Sequence, residues 1–589
     1  MYRYDFVRLL AACLASLGVA AASSSTHDER DIAFCNEGAL ASVLPAGAKI
    51  ERVQAVAAGS TYGEGPADLA YPIQPTNLPA LCAVTVEVAS SATSSYRVGL
   101  FLPQEWNNRF LAIGNGGFGG GINWLDMGAA AHYGFAVVST DTGHNSLTAD
   151  GRWALNNAEA KTDWGWRAVH GSVVLGKLLT QAYYTQSIAY SYYSGCSTGG
   201  RQGLKEVQMF PDSFDGVLVG SAAWDTNHLN NWVTQAATYN WPADDEKHID
   251  WHLLPAIGVE ITKQCDNIDG VADGIISLPG LCNVDFEALS CEGPGANKSA
   301  CLTAPQAQTL RNVYSNWTAD GELLYTGLLP GSEGQMYAVL SYPDASPYGI
   351  GYARYFVLNN ASFAFADFND SLVSIAEQMD PGNATADDYD LTAFRQRGGK
   401  MIMYHGAADG LVPTRGSDLY YERVVKGMGG NMTETQEFFK YFMVPGMQHC
   451  AETLVDAPWA FGGASQASFF GNDTWSVPGF VDAQHDILLN LLAWRENATT
   501  NQVVATTWNT PTNTSSGVLR QRPLCPYPQM AIWDENGPVN DAKSWSCGGD
   551  IRIRPVPSSR PVPTSEARHW SWTWSSCAAI LVASVLLIF

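Results

Sequence analysis

Gly195-Cys196-Ser197-Thr198-Gly199 is the stretch whose reading decides the fold. It fits G-x-S-x-G, a sharp strand-to-helix turn that lifts a serine hydroxyl above the end of a sheet. In a chain with 56 glycines the five residues would carry little weight alone. Their flanks supply the rest. Residues 188–193 form an apolar and aromatic run suited to a buried strand, and Thr198–Met209 reads as a helix stopped by Pro211.

Upstream, strand-like runs fall at 83–88, 96–101, Arg109–Ile113 and Ala136–Thr140, with a helical stretch at 164–179. Downstream, Gly216–Gly220 is the next strand. Strands alternating with helices predict an α/β fold with a mostly parallel sheet. The alternation fades between 221 and 397, where aromatics, Gly, Pro and four closely spaced cysteines crowd together. It resumes with strands at 400–405 and 438–444 and a helix at 481–494. The expectation is an α/β-hydrolase domain built from 23–220 and 398–550, with an inserted lid domain, 221–397, lying over the serine.

Serine is a weak nucleophile unless a base takes its proton and an acid orients that base. In α/β-hydrolases the chain order is Ser, then Asp or Glu, then His. Asp409 follows the strand at 400–405 in Tyr404-His405-Gly406-Ala407-Ala408-Asp409, where an orienting acid belongs. Asp418 competes for the role but falls on the following helix. His449 follows the strand at 438–444 and the turn Pro445-Gly446. The predicted nucleophile, acid and base are therefore Ser197, Asp409 and His449. An oxyanion needs two N–H donors. One is expected from Thr198, the residue after the nucleophile, and the other from Gly116 or Gly117 in the glycine-rich loop 114–121. That loop lacks the Lys-Ser/Thr ending of a phosphate loop.

The chain has 12 cysteines. Cys13 lies in a leader and Cys577 in the tail, so ten remain for pairing in an oxidising compartment. Local spacing points to Cys265–Cys282, Cys291–Cys301 and Cys525–Cys547, with Cys35–Cys82 clipping the N-terminal region. Cys196 and Cys450 are then left, although sequence alone does not fix this connectivity. If they pair, their Cα atoms must approach to about 4.4–6.8 Å. The neighbouring Ser197 and His449 would be brought together with them.

A second cluster, residues 265–275, holds three carboxylates in eight positions with glycines for tight turns. Such a loop suits a hard cation with oxygen ligands. Calcium is expected there as a structural ion, held by the side chains of Asp266, Asp269 and Asp273 and the carbonyls of Val271 and Ile275. The spacing is not that of an EF-hand.

The formal charge of −24 excludes a nucleic-acid binder of the usual basic kind. Residues 1–22 read as a secretory signal, with Arg3 and Arg8 before an apolar run. Nine N-x-S/T sequons agree with export. Residues 551–589 combine a Pro- and Ser-rich linker with an uncharged apolar end, the pattern of a GPI-attachment signal with Ser565 as the attachment site. The alternative is a membrane span starting near Trp570. The expected location is extracellular, anchored at the cell surface. Nothing in the sequence fixes an oligomeric state.

Taken together, over roughly residues 34–547, these features resemble the fungal tannase and feruloyl esterase family. The match rests on Cys196-Ser197 paired with His449-Cys450, Asp409 in an H-G-x-x-D context, and the loop with Asp266, Asp269, Val271, Asp273 and Ile275. The resemblance implies hydrolysis of plant phenolic-acid esters, of the hydroxycinnamate (feruloyl esterase type B) or galloyl (tannase) kind. The absence of a Lys-Arg pair leans towards the former. The aromatic side chains Trp224, Trp232, Trp241 and Tyr355 are candidates for stacking on the acyl group. The rival from another class is a wall-anchored binding protein that keeps the fold without catalysis.

Overall fold

The strand that carries the serine lies inside a nine-stranded sheet. Its strands are β1 (Ala48–Val56), β2 (Leu81–Ala89), β3 (Ser95–Pro103), β4 (Arg109–Ile113), β5 (Ala136–Thr140), β6 (Tyr190–Cys196), β7 (Gly216–Gly220), β8 (Lys400–Gly406) and β9 (Phe439–Val444). They are ordered β1-β2-β3-β5-β4-β6-β7-β8-β9. The first three join antiparallel and β3 meets β5 antiparallel. From β5 to β9 every pairing is parallel. This computed structural model describes residues 35–552, apart from 36, 293–295, 341–345, 500–501 and 511. The expected signal at 1–22 and the attachment signal with Ser565 lie outside the described residues.

Side chains alternate across a strand, so each face of the sheet receives every second residue. Phe110, Ala112, Val138, Tyr193, Val217 and Met401 join one core with Val173 and Leu204 of the covering helices Ala168–Tyr184 and Thr198–Met209. Leu111, Val137, Tyr192, Leu218 and Ile402 join the other, with Met127 and Leu491 of helices Trp124–His132 and Ile487–Asn497. Helices on both faces explain why β5 and β7 are buried along their whole length and carry the apolar runs Ala136–Val138 and Val217–Val219.

The α/β-hydrolase expectation holds, with differences at the margins. Strand β1 was not anticipated. It lies on the edge of the sheet, and Lys49, Glu51 and Arg52 interrupt its apolar pattern. The helix expected at 481–494 starts later, at Ile487, because the Asp486 carboxylate accepts the N–H groups of Leu488 and Leu489 and caps it there. The helix expected at 164–179 opens with a π-helical turn at Asp163–Arg167 before regular helix at Ala168–Tyr184. Residues 221–397 contribute most of a further core, built around Trp232, Leu310, Met336 and Tyr352. Phe118, Trp164, Leu411 and Val412 of the hydrolase body pack into that same core.

Candidate active site

Three loops leave the C-terminal ends of β6, β8 and β9 on one edge of the sheet. The β6 loop is the tightest. Ser197 has φ 61° and ψ −122°, a strained conformation for a residue with a side chain. Backbone bonds hold it there: its N–H donates to the Gly220 carbonyl at 2.9 Å, and its carbonyl accepts the N–H of Ala223 at 3.1 Å. The motif glycines are needed for space. A Cβ on Gly195 would stand 2.8 Å from the backbone of Gly199, and one on Gly199 would stand 3.1 Å from the Asn115 carbonyl oxygen.

Asp409, in the β8 loop, is 1% exposed. Its Oδ1 accepts the N–H groups of Leu411 and Val412 at 2.9 and 2.8 Å. Its Oδ2 lies 2.7 Å from His449 Nδ1, in the β9 loop, and 3.0 Å from His405 Nε2. Burial alone would raise its pKa, but the two imidazoles outweigh that and hold the carboxyl well below the usual range. His405 Nδ1 faces the Ser417 hydroxyl at 2.7 Å, so the partners place the His405 proton on Nε2, towards the acid. His449 has its Nδ1 committed to Asp409, which leaves Nε2 for the cleft. Asp418 does not join this group; its Oδ1 accepts the Tyr441 hydroxyl at 2.8 Å.

Two further ties fix the loops relative to one another. A disulfide joins Cys196 to Cys450 with Cα atoms 6.0 Å apart, across 254 positions of sequence. Gln335, from the inserted region, accepts the N–H of Gly410 and the N–H of His449 on its Oε1, each at 3.0 Å. One buried amide oxygen therefore spans the acid loop and the histidine loop. The other disulfides are Cys35–Cys82, Cys265–Cys282, Cys291–Cys301 and Cys525–Cys547.

Ser197 and His449 line one cleft with Tyr71, Gly116, Asp126 and Phe469. A profile of tannase and feruloyl esterase sequences matches residues 82–548. This chain belongs to the tannase and feruloyl esterase family.

Among relatives in this family, it is 33% identical over 537 residues to feruloyl esterase B of Aspergillus niger, covering 91% of this chain and 98% of that one. It is 35% identical over 470 residues to a probable feruloyl esterase B-2 of Aspergillus terreus, covering 79% and 86%. The crystal structure of feruloyl esterase B from Aspergillus oryzae superposes with a TM-score of 0.80 at 33% identity, covering 88% of this chain and 99% of the other. These relatives are named as feruloyl esterases, which are carboxylic ester hydrolases.

Within this tannase and feruloyl esterase fold the cleft departs from several expectations. Its walls come from residues 70–73, 114–116, 123, 125–126, 196–197, 449–450, 465 and 468–469, all outside 221–397. The insert reaches the catalytic loops through Gln335. The aromatics expected to stack on substrate are packing residues. Trp224 and Trp232 are buried in core, and Trp224 donates its indole N–H to the Gly416 carbonyl. Trp241 packs edge-on against Phe365, and Tyr355 lies against the insert's core.

The residues expected to meet the oxyanion have different surroundings. Thr198 opens its helix, where the first N–H groups have no intrahelical acceptor. The Gly116 N–H is engaged: it donates to the Tyr71 hydroxyl at 2.7 Å. Gly117 is not among the cleft residues, and a Cβ there would meet the Thr148 carbonyl at 2.5 Å. Tyr71, Gln335 and His405 were not assigned roles from sequence. His405 stood inside the quoted H-G-x-x-D stretch, whereas Tyr71 and Gln335 carry no motif.

The acidic loop is ordered by its own backbone. Asp266 Oδ1 accepts the N–H groups of Asp273, Gly274 and Ile275, and Asp269 Oδ1 accepts that of Val271. Asp273 is ion-paired with Arg520 and Arg522. Asp266 and Asp269 form no ion pair among the described residues. Among those residues, no three His, Cys, Asp or Glu side chains converge as a metal cage by themselves.

Proposed function

We propose that this chain is a serine carboxylesterase that hydrolyses esters of plant hydroxycinnamic acids. The observation that carries the reading is the 2.7 Å contact from His449 Nδ1 to Asp409, in a chain whose disulfide binds the residues beside Ser197 and His449 across one cleft. The names of its relatives supply the substrate class.

In this mechanism His449 Nε2 takes the proton of Ser197 as its oxygen attacks the ester carbonyl carbon. Asp409 stabilises the imidazolium and keeps the ring oriented. The tetrahedral intermediate collapses, the carbonyl–alkoxy bond breaks, and the imidazolium returns its proton to the departing alcohol. The acyl group is left on Ser197. Water, deprotonated by the same nitrogen, then attacks the acyl carbonyl carbon; the bond to Ser197 Oγ breaks, the imidazolium returns its proton to that oxygen, and the free acid leaves. The oxyanion formed in each half is met by the Thr198 N–H and by the Tyr71 hydroxyl. That hydroxyl accepts from Gly116 and keeps its own hydrogen to donate.

Calcium fits the chemistry of the acidic loop as a brace. The side chains of Asp266, Asp269 and Asp273 would hold it with the carbonyls of Val271 and Ile275, and it would supply charge neutralisation to a loop stapled by Cys265–Cys282. Export through a signal at 1–22 and attachment through Ser565 complete the proposal and rest on sequence pattern alone.

The test is a kinetic panel of methyl ferulate, p-coumarate, caffeate and gallate with wild type and Ser197→Ala. Hydrolysis of the cinnamate esters, lost in the variant, is expected. Preference for the gallate ester would move the substrate class to galloyl esters. Activity unchanged in Ser197→Ala would end the serine mechanism.

A further inference from the structure

The cleft beside Ser197 holds a carboxylate that the proposed chemistry does not use. Asp126 lies in the first turn of helix Trp124–His132 and lines the same cleft as Ser197 and His449. Its Oδ2 is held twice, by the Asn123 side-chain amide at 2.8 Å and by the Ser465 hydroxyl at 2.7 Å. Asn123 is itself fixed as the helix cap, accepting the Asp126 N–H at 3.2 Å. Ser465 sits at φ +63°, a conformation that only a well-determined loop maintains. The carboxylate is thus aimed by three side-chain and backbone bonds. Its Oδ1 has no hydrogen-bond partner among the described residues and is not among the solvent-excluded atoms left without one.

No cation pairs with Asp126 among the described residues. Burial raises its pKa, and the bonds from Ser465 and Asn123 offset only part of that rise. The cleft it faces is lined by the apolar Ala70, Pro72, Ile73, Leu125 and Phe469, alongside the polar Tyr71, Asn115 and Ser468. A largely apolar cleft with one aimed acceptor orients a ligand by a single donor. An anion would be repelled there, whereas a neutral hydroxyl fits.

We propose that Asp126 Oδ1 receives a hydroxyl group of the ester substrate, so that Asp126, Asn123 and Ser465 together form a specificity subsite. The inference rests on the esterase reading. Two parts of the substrate could present the hydroxyl: the phenol ring of the acyl group, or a sugar alcohol.

The assay separates these sources. Wild type and Asp126→Asn are compared on methyl cinnamate, methyl 4-methoxycinnamate, methyl p-coumarate and a cinnamoyl arabinose ester. Two donors fix the oxygen at the Oδ2 position, so the variant places its amide NH2 where Oδ1 was and turns an acceptor into a donor. A hydrogen bond to a charged group corresponds to roughly ten- to hundredfold in kcat/KM. A phenolic source predicts that loss for methyl p-coumarate alone. A sugar source predicts it for the arabinose ester alone. Methyl cinnamate, which presents neither hydroxyl, is expected to change less than twofold and reports that the variant is folded.

Equal losses across all four esters at an unchanged melting temperature, or no loss on any, would overturn the subsite while leaving the esterase reading intact. Wild type inert on every ester would overturn both. If the variant does not fold, wild-type ratios decide. Values near one for p-coumarate over 4-methoxycinnamate, and for the arabinose ester over methyl cinnamate, would overturn the subsite.

Discussion

Removing the Cys196–Cys450 bond should damage catalysis and stability by different routes, and a second disulfide separates them. The bond closes a loop across 254 positions. The chain-entropy relation assigns about 5.5 kcal/mol to a loop of that size at 25 °C. Cys525–Cys547 closes one across 22 positions, worth about 3.4 kcal/mol on the same relation. Both double serine variants should therefore lose stability, with midpoints of urea unfolding ranked accordingly. Only one should lose turnover. Cys196 and Cys450 are the immediate neighbours of Ser197 and His449, and displacing reacting groups by about 1 Å costs on the order of a hundredfold. The expected result on methyl ferulate, under conditions where both variants are folded, is a kcat fall of that order for Cys196→Ser/Cys450→Ser and less than twofold for Cys525→Ser/Cys547→Ser. Equal kcat in the two folded variants would refute the idea that this bond positions nucleophile and base.

Three other outcomes follow from the geometry. Tyr71→Phe removes the hydroxyl that accepts the Gly116 N–H, and should lower kcat by ten- to a hundredfold with KM little changed; an unaltered kcat would return the oxyanion role to Gly116 itself. Asp141 is 7% exposed, and burial lifts its pKa to about 7. Its folded value lies above the unfolded value of about 3.9, so its contribution to stability is full below pH 4 and is lost as pH rises towards 7, by up to about 1.4 kcal/mol per unit. Asp141→Asn should flatten that slope, as read by urea unfolding between pH 4.5 and 7.5; parallel wild-type and variant profiles would contradict it. A calcium chelator should lower the melting temperature of the wild type by several degrees and that of Asp269→Asn far less, whereas equal shifts would remove the ion from this loop.

The parts of this molecule legible in the sequence are those in which a local pattern meets a local need. Strands β4, β5 and β7 stood out because both faces are covered, leaving the short apolar runs Phe110–Ile113, Ala136–Val138 and Val217–Val219. The Ser197 turn stood out because its steric demands require glycine at fixed offsets. Asp409 and His449 were readable from their places after strands. The walls of the cleft were not. Residues 70–73, an irregular segment, and 465–469, which end in a single 3-10 turn, lie far apart in the chain, and only the closed fold brings them beside Ser197. Aromatic residue type misled for the same reason. Trp224 and Trp232 satisfy a core as readily as they would a ligand, and nothing in their neighbours distinguishes the two. The engagement of Gly116 by Tyr71 is a long-range contact that no spacing encodes.

Because a single glutamine oxygen accepts backbone N–H bonds from two loops, the inserted segment is no detachable cap. A chimaera that exchanged residues 221–397 for those of a relative would need an acceptor at the same point, or the new piece would leave two amides stranded at the heart of the enzyme. Swapping this segment to change substrate range is therefore constrained less by its outer surface than by one uncharged side chain on its inner side.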